Sequence, residues 1–115
     1  MSRIYVSYNL EYLEIQKIEL NFLIEDEWNR KEAVALIKII QSVQRRVEAT
    51  YEVRLEVNVY ASDELTDQEV EVFKDKAFYT IDKRELKAMD YETSYHHVNA
   101  ITTTLSNVIQ KMLYR

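Results

Sequence analysis

Asn29 to Tyr60, NRKEAVALIKIIQSVQRRVEATYEVRLEVNVY, holds two hydrophobic periods in succession. Asn29 with Glu32 three residues on reads as a capping box, in which an amide and a carboxylate side chain each satisfy a backbone N–H at a helix start. Ala33, Leu36, Ile37, Ile40, Val43, Val47 and Tyr51 then recur at spacings of three and four, with Lys38, Gln41, Gln44, Arg45 and Glu48 mostly off that stripe. The spacing predicts a helix over residues 29–50. No glycine is present to take a left-handed cap at its far end, so Arg45 and Arg46 are expected to satisfy the terminal carbonyls. From Tyr51 to Tyr60 the period falls to two, with Val53, Leu55, Val57 and Val59 against Glu52, Arg54, Glu56 and Asn58. A strand with so polar an outer face belongs in a sheet covered on one side only, which favours an α+β fold over a doubly wound one.

Working outward from this stretch, Arg3 to Tyr8 alternates as a half-buried strand, with Ile4, Val6 and Tyr8 on one face and a turn expected at Asn9. Leu10, Leu13, Ile15 and Lys17 fit either a strand or a helical turn. Ile18, Leu20, Phe22 and Ile24 alternate regularly, so a long second strand is expected, with a bulge near Lys17 where the apolar set changes from odd to even positions. Asp26 to Trp28 closes it. On the other side, Thr66 with Glu69 caps a short helix to about Lys76, Ala77 to Ile81 is too brief to separate a strand from a continued helix, and Asp82 can cap Lys83 to Met89. Residues 93–114 form a second long amphipathic helix, with Val98, Leu105 and Met112 seven apart and Ile101 and Val108 between them. The expected architecture is a single α+β domain: a mainly antiparallel sheet of three or four strands with two long amphipathic helices packed on one face. The connection from Ile24 to Tyr51 allows a parallel crossover or an antiparallel return, so strand order stays open.

Composition narrows function by exclusion. The 115 residues include no glycine, proline or cysteine. Without glycine no Gly-rich loop can bring backbone N–H groups close to a phosphate, and without cysteine there is neither a disulfide nor a thiolate metal site. Turns must use Asn9, Asp26, Asn29, Ser62, Asp63, Asp82 or Asp90 instead. A net charge of −5 argues against direct nucleic-acid binding, which needs clustered Lys and Arg, and suits a basic protein partner such as a nucleic-acid-binding protein. No apolar run approaches the length of a membrane span, so a cytoplasmic protein is expected, with no membrane role.

The catalytic inventory is thin. His96 and His97 are the two histidines, and neighbours on a helix point about 100° apart, so one is expected to pack and the other to be solvated rather than both to hold a metal. Asp75 with Glu85 and Lys87 has the spacing of a metal-dependent nuclease set, but the segment reads as helix. No enzyme activity and no cofactor are expected. Interaction signals are stronger. Tyrosines at 5, 8, 12, 91, 95 and 114 exceed what a core needs, and the heptad recurrence of Val98, Leu105 and Met112 could serve a helix–helix seam as well as cover the sheet. Candidate interface residues are Tyr91, Tyr95, Val98, Leu105, Ile109 and Met112, and Asp63, Glu64 and Asp67 form a candidate acidic patch. The expected function is that of a small acidic non-enzymatic binder of a protein partner, of the type of a virus- or mobile-element-encoded inhibitor of a host nucleic-acid-processing or defence complex. The alternatives are an assembly subunit that forms a homodimer or larger ring through the C-terminal helix, and a small-ligand or nucleotide binder using Arg and Tyr contacts in a pocket between sheet and helices.

Overall fold

Strands β1 (Arg3–Tyr12) and β2 (Gln16–Ile24) form an antiparallel pair whose register runs unbroken from Ile4↔Ile24 to Tyr12↔Gln16. The computed structural model describes residues 3–12, 16–87 and 91–113. Two expectations fail in this ladder. Asn9 is not a turn but pairs with Glu19, because Leu10 continues the apolar alternation of β1 and meets Ile18 on the same face. No bulge occurs at Lys17, which pairs directly with Glu11. Leu13 and Ile15, which suggested a change of apolar parity, lie outside the described residues, as does Asp90.

Helix α1 (Arg30–Thr50) leads from β2 into β3 (Arg54–Ala61), and β3 lies parallel to β2 from Lys17↔Arg54 to Ile24↔Ala61. Parallel neighbours need a long crossover, and a helix of 21 residues supplies it. A 3-10 turn (Ser62–Glu64), α2 (Asp67–Lys76), β4 (Tyr79–Asp82), α3 (Lys83–Lys87) and α4 (Tyr91–Leu113) complete the chain. β4 pairs antiparallel with β1, giving the order β3-β2-β1-β4. The sheet is therefore mixed rather than mainly antiparallel, and among the described residues four α-helices accompany it.

One face of the sheet carries the core. Ile4 and Val6, Ile18, Leu20, Phe22 and Ile24, and Leu55 are buried against Leu36, Ile39, Val43 and Val47 of α1 and Val98, Ile101, Leu105 and Ile109 of α4. Each large apolar side chain withdrawn from water here contributes roughly 1.5–3 kcal/mol before chain entropy is counted. The other face is polar at its centre, where Asn58 Nδ2 donates to Asn21 Oδ1 at 3.0 Å beside buried Ser7. That face is not left bare, as a sheet covered on one side would be. α2 lies over it, with Lys74 Nζ 5.3 Å from the ring centre of Tyr5.

Side-chain caps begin α1 and α2. Asn29 and Glu32 form the expected box, with Glu32 N–H donating to Asn29 Oδ1 at 2.9 Å and Asn29 N–H to Glu32 Oε2 at 3.2 Å, and Thr66 and Glu69 repeat it at α2. At the far end of α1 the expected Arg45 and Arg46 caps are absent. Thr50 Oγ1 donates to the carbonyl of Arg46 and Tyr51 N–H to that of Val47, while the Arg46 side chain turns to α4 and donates to Asn99 Oδ1 at 3.1 Å. No helix among the described residues is long and apolar enough to cross a membrane.

Candidate functional site

Among the described residues, Asp26 is the one with a left-handed backbone, at φ 59°. A left-handed conformation costs an L-residue about 1–2 kcal/mol, and Asp tolerates it better than most because its short side chain can bond locally. The structure around it shows what holds it there. Buried Lys83, at the start of α3, donates from Nζ to the carbonyl of Glu25 at 3.1 Å and to that of Glu27, the two residues flanking Asp26. The same ammonium lies 3.6 Å from the buried carboxylate of Glu32, which also caps α1. One cation thus gathers two loop carbonyls and one helix carboxylate, and the left-handed turn at Asp26 allows those carbonyls to converge. Glu25 adds further anchors: its N–H donates to the Arg3 carbonyl, its Oε1 accepts from Arg3 N–H, and its Oε2 pairs with Lys74 at 3.0 Å.

The loop is fixed from beneath and open above. Asp26 and Glu27 are exposed, and Trp28 keeps 46% of its surface in solvent although it is the one tryptophan of the chain. These residues line a cleft of about 490 Å³ with Ala61, Ser62 and Asp63 from the end of β3 and the turn after it. Asp63 of the expected acidic patch is thereby joined to Asp26 and Glu27, and exposed Glu64 and Asp67 follow within the next four residues. The result is an aromatic side chain among carboxylates, on a loop whose backbone is already ordered. Such a surface can bind a cation by charge and by the ring face together.

The expected interface on α4 is placed differently. Val98, Leu105 and Ile109 are buried in the chain's own core, where they cover the sheet. Tyr95 is 46% exposed, and its ring carries the Arg46 guanidinium 5.1 Å from the ring centre. The side chains of Tyr91 and Met112 fall outside the described residues.

His96 is exposed and His97 buried, as helical geometry required. The surroundings of His97 could not be read from the sequence. Its Nδ1 lies 2.6 Å from the Tyr79 hydroxyl of β4, and its Nε2 lies 2.8 Å from Glu85 Oε2 of α3, off the direction of the ring N–H. Burial holds the imidazole below its ordinary pKa against the opposing pull of Glu85, and burial followed by the Glu85 charge holds the Tyr79 phenol above its own. This carboxylate–imidazole–phenol cluster joins three packed elements, and none of its members lines the Trp28 cleft. A second cleft of about 520 Å³ lies under α2, where Ser7, Asn21, Glu19 and Tyr60 of the sheet face Phe73 and Lys76. It lies between sheet and helix, and among the described residues its lining includes a tyrosine but no arginine. Among the described residues no group of three or more His, Asp or Glu is placed to hold a metal ion.

No protein-family model, curated protein or solved structure matches the chain.

Proposed function

We propose that the chain is a non-enzymatic protein-binding protein that docks through the Trp28 loop onto a basic surface of its partner. The observation that carries this reading is an exposed tryptophan, set among Asp26, Glu27 and Asp63, on a loop held by a buried lysine. Tryptophan and tyrosine dominate binding hot spots because they bury much area for little lost rotamer freedom, and a loop ordered beforehand avoids the entropy cost of ordering on contact. A carboxylate rim steers a basic partner to the site and selects against acidic ones. The groove of a nucleic-acid-binding protein has this chemistry, and a chain seated in it would act as an inhibitor by occupying the phosphate path.

The test is titration of the chain with an arginine-rich peptide. Saturable binding that weakens with salt, and that Trp28→Ala reduces on the order of tenfold or more, is expected of a hot-spot residue. Binding of equal strength by wild type and Trp28→Ala overturns the assignment of the site.

A further inference from the structure

The free edge of the sheet carries an inference independent of the Trp28 loop. β3 ends the strand order, so among the described residues one side of its backbone has no strand beside it. Sheet edges are normally blunted by shortness, proline, bulges or charges that resist pairing. β3 has eight residues, no proline, and an unbroken register with β2, whereas the opposite edge, β4, has four residues. Of its two charged side chains, Glu56 is already paired with Lys17 of the neighbouring strand at 2.8 Å.

We propose that this edge pairs antiparallel with β3 of a second copy of the chain, about a two-fold axis through Val57, so that two four-stranded sheets become one continuous sheet. The sequence of β3 is complementary to itself in that register. Val57 meets the partner's Val57, Leu55 meets the partner's Val59, Glu56 the partner's Asn58, and Arg54 the partner's Tyr60. No like charges stand opposite each other, and the apolar pairs all fall on the face that carries α1 and α4. A register centred on Glu56 or on Arg54 would instead oppose like charges.

Helix α1 supplies a second observation. Gln44 Nε2 donates to the Leu55 carbonyl at 3.1 Å, which sets that side of α1 above β3. Ile37 lies seven residues earlier, about two turns along the same side of the helix, and it is 50% exposed. Val59 on the strand is 43% exposed. Two large apolar side chains therefore flank the free edge where a second copy would cover them.

Native mass across a concentration series, with two single variants, tests the proposal. Wild type is expected to have the mass of two chains and to hold it as salt rises, since both copies are acidic and salt screens their repulsion. Val59→Lys is expected to give the mass of one chain with an unchanged circular dichroism spectrum, because the residue is exposed in the single chain. The chain has no cysteine, so Val57→Cys places one thiol per copy on the axis. Directly opposed residues lie about 4.5–5.5 Å apart between Cα atoms, within reach of a disulfide, and air oxidation should yield a covalent dimer. A one-chain mass at every concentration overturns the proposal, and so does a dimer that Val59→Lys leaves intact. A dimer that Val59→Lys disperses, but that Val57→Cys does not cross-link, overturns the pairing about Val57.

Discussion

The α4 stripe and the Trp28 loop both present apolar side chains at positions where a partner could bind, and the structure uses them in opposite ways. Val98, Leu105 and Ile109 lie on a 23-residue helix that must cover a four-stranded sheet, and they are removed from water by their own chain. Trp28 lies on a short connection with no layer above it, held from below by Lys83, and stays in solvent. The periodicity of α4 thus reports what that helix covers within its own fold. A large aromatic outside any periodic pattern, on a loop with an ordered backbone, is the better indicator of a surface kept for contact.

The sharpest way to break this comparison is to put a charge inside the α4 stripe. Leu105→Glu is expected to unfold the chain at room temperature, since it buries an unpaired carboxylate and leaves Leu105's partners uncovered; even Leu105→Ala should cost about 2–5 kcal/mol in denaturant unfolding. If Leu105→Glu folds with native circular dichroism, the helix is not part of the core. Lys83→Met is next, at about 3–5 kcal/mol, because it strands the buried Glu32 carboxylate and two loop carbonyls. Hydrogen exchange at residues 25–28 should speed up more than exchange in β1, and equal change in both would deny the loop its dependence on Lys83.

A smaller effect lies in pH. His97 is faced by Tyr79 from β4, Glu85 from α3 and His96 from its own helix. Its folded pKa is lowered chiefly by burial, so below the unfolded value of about 6.5 the unfolded chain binds the proton more readily. Stability should therefore decline as pH falls through about 6.5, and His97→Phe should flatten that slope in thermal melts recorded from neutral to mildly acidic pH. A second, weaker loss is expected at lower pH: it begins near 3.8, where Asp82 of the unfolded chain takes up a proton, and ends at about 2, where the folded carboxyl, held low mainly by the hydrogen bond from the Arg84 side chain, is protonated too. The smallest change in stability belongs to Trp28→Ala, within about 0.5 kcal/mol, as for an exposed residue that is not a member of the core cluster. That near-neutrality is the counterpart of Leu105→Glu and completes the contrast.

Much of the fold is legible in local chemistry. Asn29 with Glu32 and Thr66 with Glu69 mark helix starts because caps act within four residues, and Val53 to Val59 marks a strand because side chains alternate across a sheet. The parallel placement of β3 was not legible, since the span from Ile24 to Tyr51 fits either direction and only packing of α1 across the sheet decides it. Asn9 looked like a turn because asparagine favours turns, yet Leu10 beyond it had an apolar partner in Ile18. Asp63 of the candidate site was visible as part of an acidic run, but its neighbours Asp26 and Trp28 lie more than thirty residues away in sequence. Lys83 lies more than fifty residues from Asp26 and Trp28, one lysine in a charged segment with no local sign of burial. The Tyr79–His97–Glu85 chain has the same character, since it joins a strand and two helices through distances that periodicity does not encode.

The central claim concerns the Trp28 loop, and the chain's single tryptophan makes it directly measurable. Emission of Trp28 should be recorded while an arginine-rich peptide is added at low and then high salt. A saturable blue shift or quench that disappears in high salt, and that Lys83→Met weakens while the chain remains folded, is the expected result. Saturable binding detected by another method with the Trp28 emission unchanged would contradict the account.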